Sequence, residues 1–338
     1  MVIVMRALVT GISGFIGSHL ARGLLAEGVE VVGLVRSTSR LAHLPVDQMQ
    51  IVEGDLGDPD CLRKAVDKVD VVYHLAGATK VLRPEQFMQV NAQGTAQIVA
   101  ACAQRTTPPV LVMVSSLAAA GPAPNGRLRI EPDPPAPVSN YGRSKLAGEQ
   151  FARSAAGRLP VTIVRPPIVI GVGDSNLTEY VEAIQKLHLH VVPTLQDYQY
   201  SLIDVQDLVP GIMLAGNRGR RILPAEVNDD DQRGVYFLAD DEHPTYAGLG
   251  RMIGTALNYN AIRVLHIPAW LSWMIGGASE FLARVRGRPS LFNSDKIREA
   301  TAGSWACSAE RAKAELGFRV AAPLETRMRN VAAAYLRQ

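Results

Sequence analysis

Cysteine is scarce in this sequence, and neither sign of charge is in large excess. The 338 residues include three cysteines, Cys61, Cys102 and Cys307, which lie far apart and lack the spacing of a metal site. An odd number of isolated cysteines predicts inert thiols in a reducing compartment, and we expect a cytoplasmic protein. The net charge of +3 comes without a Lys/Arg-rich patch interleaved with aromatic residues, which argues against a nucleic-acid partner.

Signal-peptide and metal-binding patterns are missing as well. The apolar start "MVIVMRALVTG" is too short for a signal peptide and runs into a glycine-rich turn, so we interpret it as a first β-strand. His188 and His190 have no carboxylate or cysteine at a matching spacing. We therefore expect no metal ion.

An apolar and aromatic segment lies between Val264 and Val285. A membrane-spanning helix needs about 20 apolar residues, and four residues interrupt this segment: His266, Pro268, Glu280 and Arg284. We favour the core or lid of a substrate-binding lobe. A surface helix that contacts a membrane is the second interpretation, and a true span is the least favoured.

Short β-branched runs alternate with helical patterns through the first half of the chain. Hydrophobic residues make up 47% and charged residues 20% of the sequence, the balance of a globular protein. Six runs are typical of strands covered on both faces: "RALVTG", "EVVGLVR", "MQIVEGD", "DVVYHLAG", "PVLVMVSS" and "VTIVRPP". Helical patterns between them indicate βαβ units. The sequence predicts an α/β fold, a Rossmann-type doubly wound parallel sheet with a smaller, mostly helical C-terminal lobe.

A glycine-rich turn, "VTGISGFIGSHL", follows the first strand and opens the first helix. Small residues there let the backbone approach a pyrophosphate, whose charge suits the exposed N–H groups and dipole of the helix N-terminus. The context of strand, turn and helix predicts dinucleotide binding. The residues of this turn expected to contact the cofactor are Gly11, Ser13, Gly14, Phe15, Ile16 and Gly17.

The end of the second strand distinguishes between the two nicotinamide dinucleotides. NAD-binding proteins place an acidic residue there for the ribose hydroxyls, whereas this strand ends in Val35 and Arg36. Arg36, with Ser37 and Arg40, could bind a 2′-phosphate by charge-assisted hydrogen bonds. We therefore favour NADP(H) over NAD(H). The alternative is that Arg36 is an ordinary exposed loop charge.

The ends of the other strands supply the remaining predicted cofactor contacts. Ligands of open α/β sheets lie at the carboxyl edge of the strands. Asp55 could accept a hydrogen bond from the adenine amino group, or it could cap the next helix. The other predicted contacts are Leu56, Leu75, Ala76, Gly77, Pro166 and Ile168.

The domain boundaries follow from where the regular alternation stops. After Pro167 the pattern becomes irregular, and "GVYFLAD" predicts a late strand. We expect a dinucleotide-binding domain over residues 1–166 plus about 201–240. Residues of about 167–200 and 241–338 would form the substrate-binding lobe.

Tyr141 and Lys145 lie four residues apart in the helical pattern "YGRSKLAGEQFARSAAG". This spacing places two side chains on the same face of a helix, where they can act on one ligand. Glu149, another four residues on, is expected to form an ion pair within the helix and to take no part in chemistry. His74 is expected to pack or to bond backbone, without a catalytic role.

Seven motifs occur in the order and rough spacing of a known family: "TGISGFIG", "GDL", "HLAG", "NAQGT", "VSSLAAAG", "YGRSK" and "VRPP". Over its first two thirds the chain resembles the extended short-chain dehydrogenase/reductase family. That group includes NAD-dependent sugar epimerases and dehydratases, 3β-hydroxysteroid dehydrogenases and dihydroflavonol reductases. The resemblance implies an NAD(P)-dependent enzyme.

The resemblance also assigns roles to individual residues. Tyr141 would be the catalytic acid/base, Lys145 its partner, and Ser116 the hydroxyl that bonds the substrate oxygen, with Ser115 in reserve. Asn91 would support them from the long helix. A phenol titrates near pH 10, so a base at neutral pH needs a nearby ammonium group to stabilise the phenolate. We expect Lys145 to supply that charge.

Departures from the sugar-nucleotide enzymes point to a different substrate. Those enzymes usually carry an Asn after the Arg-Pro of the sixth strand and a cationic residue before a later strand. Here Ile168 and the run Tyr198 to Tyr200 occupy these places. We therefore expect a secondary alcohol and a ketone to be interconverted on an apolar substrate, steroid- or terpenoid-like or phenolic.

Two other functions remain open on the sequence. One is a sugar-nucleotide epimerase or dehydratase with tightly held NAD, and the other is a non-catalytic cofactor-binding regulator. Family members often dimerise through two long helices, here about 84–105 and 141–157. The resemblance thus implies a homodimer.

Overall fold

The computed structural model describes five stretches of the chain: residues 5–124, 126–224, 232–259, 261–287 and 293–336. Its strands are β1 (Arg6–Thr10), β2 (Glu30–Val35), β3 (Gln50–Glu53), β4 (Val71–His74), β5 (Val110–Val114), β6 (Val161–Arg165), β7 (Ile168–Ile170), β8 (Leu189–Val192), β9 (Leu202–Asp204), β10 (Val235–Phe237) and β11 (Arg263–His266). The six strands predicted in the first half and the predicted late strand are all present.

The helices alternate with the strands in the first half and dominate the C-terminal region. They are α1 (Phe15–Ala26), α2 (Pro59–Ala65), α3 (Glu85–Phe87), α4 (Gly94–Ala103), α5 (Leu117–Ala120), α6 (Asn140–Ser154), α7 (Ser175–Leu187), α8 (Val205–Arg218), α9 (Tyr246–Ala256), α10 (Ala269–Arg286), α11 (Ser294–Thr301), α12 (Glu310–Leu316) and α13 (Leu324–Tyr335). A π-helical segment, Met88–Gln93, joins α3 to α4. The predicted long helix therefore exists, with a wider turn in its middle.

The main sheet of the described residues has seven strands in the order β10-β6-β5-β4-β1-β2-β3. Every neighbouring pair in it is parallel. The chain reverses its direction of travel across the sheet between β1 and β4, which creates a crevice at the carboxyl ends of these strands. The prediction of a Rossmann-type doubly wound sheet is confirmed.

Apolar side chains cover both faces of the sheet, as the strand sequences predict. Ala7 and Val9 of β1 belong to the hydrophobic core on one face, which includes α1, α8, α12 and α13. Leu8 points to the opposite face and packs in the core formed with α2 and α4. This alternation requires near-continuous apolar strands, because both faces are buried.

The later part of the chain adds two small parallel sheets, which the sequence did not predict. β8 pairs with β11, and β7 pairs with β9. Helix α13 packs against α9, and α10 packs against α11. Over the described ranges, no helix combines the length and the apolar character needed to cross a membrane. The proposed domain boundaries stay a prediction.

A buried ion pair attaches helix α6 to strand β6. Arg165 donates from Nε and Nη2 to the two carboxylate oxygens of Glu149, at 2.9 and 2.6 Å. The two side chains are 1% and 0% exposed. Burial alone would raise the pKa of Glu149, but the Arg165 charge and hydrogen bonds from Arg165 and Ser115 outweigh it and lower this pKa. Each charge is tolerated in the interior because the other is present.

Replacing Arg165 with Met should therefore destabilise the fold strongly, because Glu149 is left charged and buried. We expect a loss of about 3–5 kcal/mol in the free energy of unfolding, measured by urea titration. The matched control is Arg329→Met, which removes an ion pair to Glu325 whose side chains are 61% and 55% exposed. That change should cost less than about 1 kcal/mol. Equal losses in both variants would contradict this account of the buried pair.

Candidate active site

Tyr141 and Ser116 meet at the carboxyl edge of the sheet. Tyr141 lies in the first turn of α6, whereas Ser116 follows β5 and is the N-cap of α5. A side-chain hydrogen bond joins the two, and Ser116 Oγ also accepts from the Ala118 backbone N–H at 3.1 Å. The ring of Phe87 contacts the Tyr141 ring edge-on, with 5.8 Å between centroids. The phenol is thus held between a hydroxyl and an apolar ring.

The neighbouring Ser115 faces away from this phenol. Its Oγ donates to Glu149 Oε1 at 2.6 Å in the interior. Consecutive residues of an extended segment point in opposite directions, so only one of the two serines can reach Tyr141. The structure brings Ser116 to Tyr141 and leaves Ser115 in the buried ion-pair cluster.

Lys145 is buried one helical turn from Tyr141. Its Nζ donates to the Val114 carbonyl oxygen at 2.8 Å. A Cβ atom on Gly77 would lie 3.8 Å from this Nζ and 3.0 Å from Asn91 Oδ1. The loop after β4 therefore lies close to the lysine. Burial lowers the pKa of Lys145 to about 8, against the opposing charge of Glu149. The lysine therefore remains largely protonated at neutral pH.

Asn91 lies in the π-helical segment and links three chain segments. Its Nδ2 donates to Ala78 O at 3.0 Å and to Ser144 Oγ at 2.9 Å, while its Oδ1 accepts from Ala78 N at 2.7 Å. The wider π turn is a feature often found at functional sites. Asn91 thus ties the loop after β4 to helix α6, which fits the supporting position expected for it.

Tyr141, Lys145 and Glu149 lie along one face of α6, which we call the polar stripe. The expectation that Glu149 forms an ion pair within its helix is wrong. Its ionic partner is Arg165 of β6, and Lys145 is directed at Val114 O instead. The correction has a physical reason: this face of α6 packs on the sheet, so the partners of its polar groups come from the sheet.

Helix α11 of the C-terminal region also reaches this site, and the sequence analysis missed it. The carboxylate of Asp295 accepts hydrogen bonds from the backbone N–H groups of Asn140 and Tyr141, at 2.9 and 3.0 Å. Lys296 Nζ lies 5.7 Å from the centroid of the Tyr141 ring and pairs with Glu299 at 2.8 Å. The sequence pattern "NSDK" indicates a helix start, but it carries no sign of a partner 154 residues away.

Several groups act on the pKa of Tyr141, and they do not act in the same direction. Loss of solvation raises this pKa, Lys296 and the hydrogen bond with Ser116 lower it, and Glu299 raises it. The net effect is a raised pKa, so the phenol is protonated at neutral pH. From the sequence we expect Lys145 to provide the positive charge beside Tyr141, whereas the positive charge that lowers this pKa in the structure is that of Lys296.

The glycine-rich turn fits a dinucleotide. Gly11 has a φ of +71°, and a Cβ atom there would lie 2.7 Å from Ala76 N. A Cβ atom on Gly17 would collide with the carbonyl oxygen of Gly11. Helix α1 begins after Gly14 without a side-chain cap and without an acidic residue in its first turn. Its N–H groups are therefore suited to an anion such as a pyrophosphate.

The other predicted cofactor contacts surround this turn. Ala76 N donates to Thr10 Oγ1 at 3.2 Å, which holds the Leu75–Ala76 segment beside β1. His74 bonds Thr10 and Thr95 through its two ring nitrogens, at 2.8 and 3.0 Å. Burial, followed by the charge of Lys145, lowers the pKa of His74 to about 3. This histidine is neutral and supports the turn.

Residues at the ends of three more strands complete the predicted cofactor set. Arg36 follows β2 with an exposed side chain, and its backbone N–H donates to Ser39 Oγ at 3.1 Å. Asp55 accepts from Gly57 N at 2.6 Å, close to Leu56. The alternative that Asp55 caps helix α2 is wrong, because Asp58 is that cap. Pro166 is buried beyond β6, and Ile168 is 40% exposed.

Aromatic residues of the C-terminal part lie near the same edge. Tyr246 and Tyr180 are joined by a hydrogen bond of 2.9 Å between their hydroxyls, and the Tyr200 ring lies 5.4 Å from the Tyr246 ring. We call these three residues the tyrosine cluster. Tyr180 also interacts electrostatically with Lys296. The cluster thus places aromatic surface next to the α11 residues that face Tyr141.

Comparison with known proteins agrees with this geometry. Residues 7–228 match the model of the NAD dependent epimerase/dehydratase family. A protein of Synechocystis sp. that carries the provisional name dihydroflavonol 4-reductase is 30% identical over 92% of this chain and 89% of its own length. Ceramide reductase of Caulobacter vibrioides is 28% identical over 88% of this chain and 84% of its own length.

Solved structures show the same fold. The UDP-glucose 4-epimerase of Thermotoga maritima has a TM-score of 0.76 and 19% identity, with 98% of this chain and 99% of the epimerase covered. The residues matched by the family model include both the glycine-rich turn and the Tyr141 helix. The chain belongs to the NAD-dependent epimerase/dehydratase family, within the extended short-chain dehydrogenases/reductases, and is an NAD(P)-dependent oxidoreductase.

Proposed function

We propose that this enzyme interconverts a ketone and a secondary alcohol on an apolar substrate, with Tyr141 as the general acid/base. The observation that supports this most directly is the hydrogen bond between the Tyr141 phenol and Ser116, together with the burial that raises the pKa of this phenol. A protonated phenol is the form that can give a proton to a carbonyl oxygen during reduction. The nicotinamide cofactor, when bound, supplies or receives the hydride.

The residues around Tyr141 would bind the substrate oxygen and the cofactor. Ser116 would hold the substrate oxygen and stabilise the alkoxide as charge develops on it. Lys145 and Gly77 lie together at the end of β4, where the cofactor ribose would be held. Gly11, Gly14 and Gly17 would bind the pyrophosphate through backbone N–H groups. Phe87 restricts the access of water to the phenol from one side.

The substrate class is inferred from the walls of the site. Tyr180 and Tyr246 of the tyrosine cluster are half-buried and supply apolar rings with polar edges, which suits a ring-bearing or long-chain ketone better than a nucleotide diphosphate. By the family resemblance, Ile168 and the run Tyr198 to Tyr200 stand where the sugar-nucleotide enzymes carry polar and cationic groups. Two relatives are named as reductases of a dihydroflavonol and of a ceramide, neither of which is a sugar nucleotide. The expected homodimer stays a prediction.

Tyr141→Phe should abolish turnover while leaving cofactor affinity nearly unchanged, because the ring remains and only the acidic hydroxyl is lost. The loss should be about 10²-fold or more, measured with NADPH and a panel of steroid ketones and flavanones by the nicotinamide absorbance. Tyr259→Phe is the matched control, since its ring packs on His188 after helix α9, and it should retain activity. Turnover by Tyr141→Phe at the wild-type rate would refute the acid/base assignment.

We also propose that NADP(H) is the preferred cofactor, bound through Arg36. The exposed guanidinium follows β2 directly, at the position where a carboxylate would bind the ribose of NAD. We expect NADPH to bind at least about tenfold more tightly than NADH, and Arg36→Ala to weaken NADPH binding selectively. Isothermal titration calorimetry gives both dissociation constants, with Arg63→Ala of helix α2 as the control. Equal affinities of the wild-type protein for the two cofactors would refute the preference.

We further propose that helix α10 contacts a membrane surface that contains anionic lipid. Trp270, Met274, Phe281 and Val285 project from one side of this helix and are between 64 and 71% exposed. Arg286 in the last turn is exposed as well. An apolar helix face with tryptophan and a basic end is typical of helices that lie in the interfacial region of a bilayer.

Sedimentation with phosphatidylglycerol vesicles tests this contact. The wild-type protein should pellet with the vesicles, and Trp270→Ala combined with Phe281→Ala should reduce the bound fraction several-fold, since apolar burial drives the interaction. Val46→Ala, an exposed apolar residue between β2 and β3, is the control and should pellet like wild type. A wild-type protein that stays in the supernatant would exclude the membrane proposal.

A further inference from the structure

We infer that helix α11 is part of the catalytic centre, with Asp295 positioning helix α6 and with Lys296 and Glu299 acting in opposite directions on the proton of Tyr141. The inference rests on the proposed role of Tyr141 as acid/base. It assigns functional roles to three residues of the C-terminal region. The supporting observations are the hydrogen bonds at the start of α6, the location of Lys296 above the phenol ring, and the surroundings of Glu299.

Asp295 completes the N-terminus of the helix that carries Tyr141. The first N–H groups of any helix lack partners within the helix. Here Ser139 Oγ accepts from Gly142 N at 2.9 Å, and the Asp295 carboxylate accepts from the two preceding N–H groups, those of Asn140 and Tyr141. A carboxylate at this end also interacts favourably with the helix dipole. The position of the Tyr141 backbone therefore depends on α11.

Lys296 places a positive charge over the Tyr141 ring. Its Nζ lies 5.7 Å from the ring centroid, within the range of a cation–π contact. The side chain as a whole is 48% exposed. A positive charge at this distance favours the ionised form of the phenol. Lys296 thus opposes the effect of burial, which favours the neutral form.

Glu299 offsets part of the effect that the Lys296 charge has on the ionisation of the phenol. Its Oε2 pairs with Lys296 Nζ at 2.8 Å, and its side chain is 15% exposed. The other oxygen, Oε1, is buried and has no hydrogen-bond partner among the described residues. Because a carboxylate favours the neutral phenol, removing Glu299 and removing Lys296 should change the ionisation of Tyr141 in opposite directions.

The other groups around the phenol could not produce the effects on the Tyr141 pKa that we expect from Lys296 and Glu299. Lys145 of α6 is directed at Val114 O, Ser116 of α5 is uncharged, and the Phe87 ring is apolar. Asp295 is occupied by the backbone N–H groups and by Arg298 Nη1 at 3.3 Å. Tyr180 of α7 acts on Lys296. Lys296 and Glu299 are thus the two side-chain charges whose removal tests the inference.

Ultraviolet titration of the phenolate measures Tyr141 without any substrate. Subtracting the curve of Tyr141→Phe, in each background, isolates the Tyr141 transition. We expect Lys296→Met to move that transition to higher pH, Glu299→Gln to move it to lower pH, and Lys296→Arg to leave it near the wild-type position. Lys186→Met is the control, because it breaks a surface pair with Glu182 whose side chains are 70% and 43% exposed.

Shifts in the same direction for Lys296→Met and Glu299→Gln, or none in either, would overturn the roles of these two residues. The titration reads the Tyr141 phenol whether or not that phenol is catalytic, so its failure is distinct from retained turnover in Tyr141→Phe. For Asp295→Ala we expect kcat to fall about tenfold or more with the best ketone of the panel. The KM for NADPH should stay unchanged. A wild-type kcat would overturn the positioning role.

Discussion

Helix α6 presents polar groups to the sheet where a covering helix ordinarily presents apolar ones. A buried polar group without a hydrogen-bond partner is costly, and a buried charge more so, so each member of the polar stripe must be matched. Tyr141 is matched by Ser116, Lys145 by the Val114 carbonyl, and Glu149 by Arg165 and Ser115. Because each of these groups needs its partner, the pairing fixes how α6 is rotated about its axis and where it lies on the sheet.

This matching explains how one helix can serve both folding and chemistry. The end of the stripe with Glu149 is fully buried and contributes a structural ion pair. The end with Tyr141 lies at the carboxyl edge of the sheet, where we propose that hydride and proton transfer occur together. Lys145 lies between the two, with a pKa lowered by burial. The buried Glu149 end of the helix therefore holds the Tyr141 end in a defined position.

The C-terminal region adds to this centre instead of only covering it. Asp295 bonds the backbone at Tyr141, and Lys296 and Glu299 lie against the phenol. If α11 leaves its place, two N–H groups of α6 lose their partners and the charges beside the phenol change. The proposed substrate-binding lobe and the proposed acid/base Tyr141 would thus be connected through one short helix.

The sequence predicts the sheet, the glycine-rich turn and the Tyr141 helix because these depend on local patterns. Apolar strands, glycines at a turn and an i, i+4 spacing can all be recognised within a few residues. The partner of Glu149 and the contacts of Asp295 could not be predicted, since they join residues that are distant in sequence. The π-helical segment at Asn91 was missed because its pattern resembles that of an α-helix. From the sequence Asp55 is a candidate cap of α2, but the cap is Asp58, which directly precedes Pro59 at the first helical position.

We propose that this chain uses a nicotinamide hydride and the Tyr141 proton for net reduction of a ketone. The most direct measurement is mass spectrometry of the product after turnover with NADPH deuterated at the transferable C4 position. We expect one deuterium on the new carbinol carbon, with one NADPH oxidised per product. A product without deuterium, formed while added NADPH is not consumed, would contradict it and would indicate internal hydride return by a tightly held cofactor.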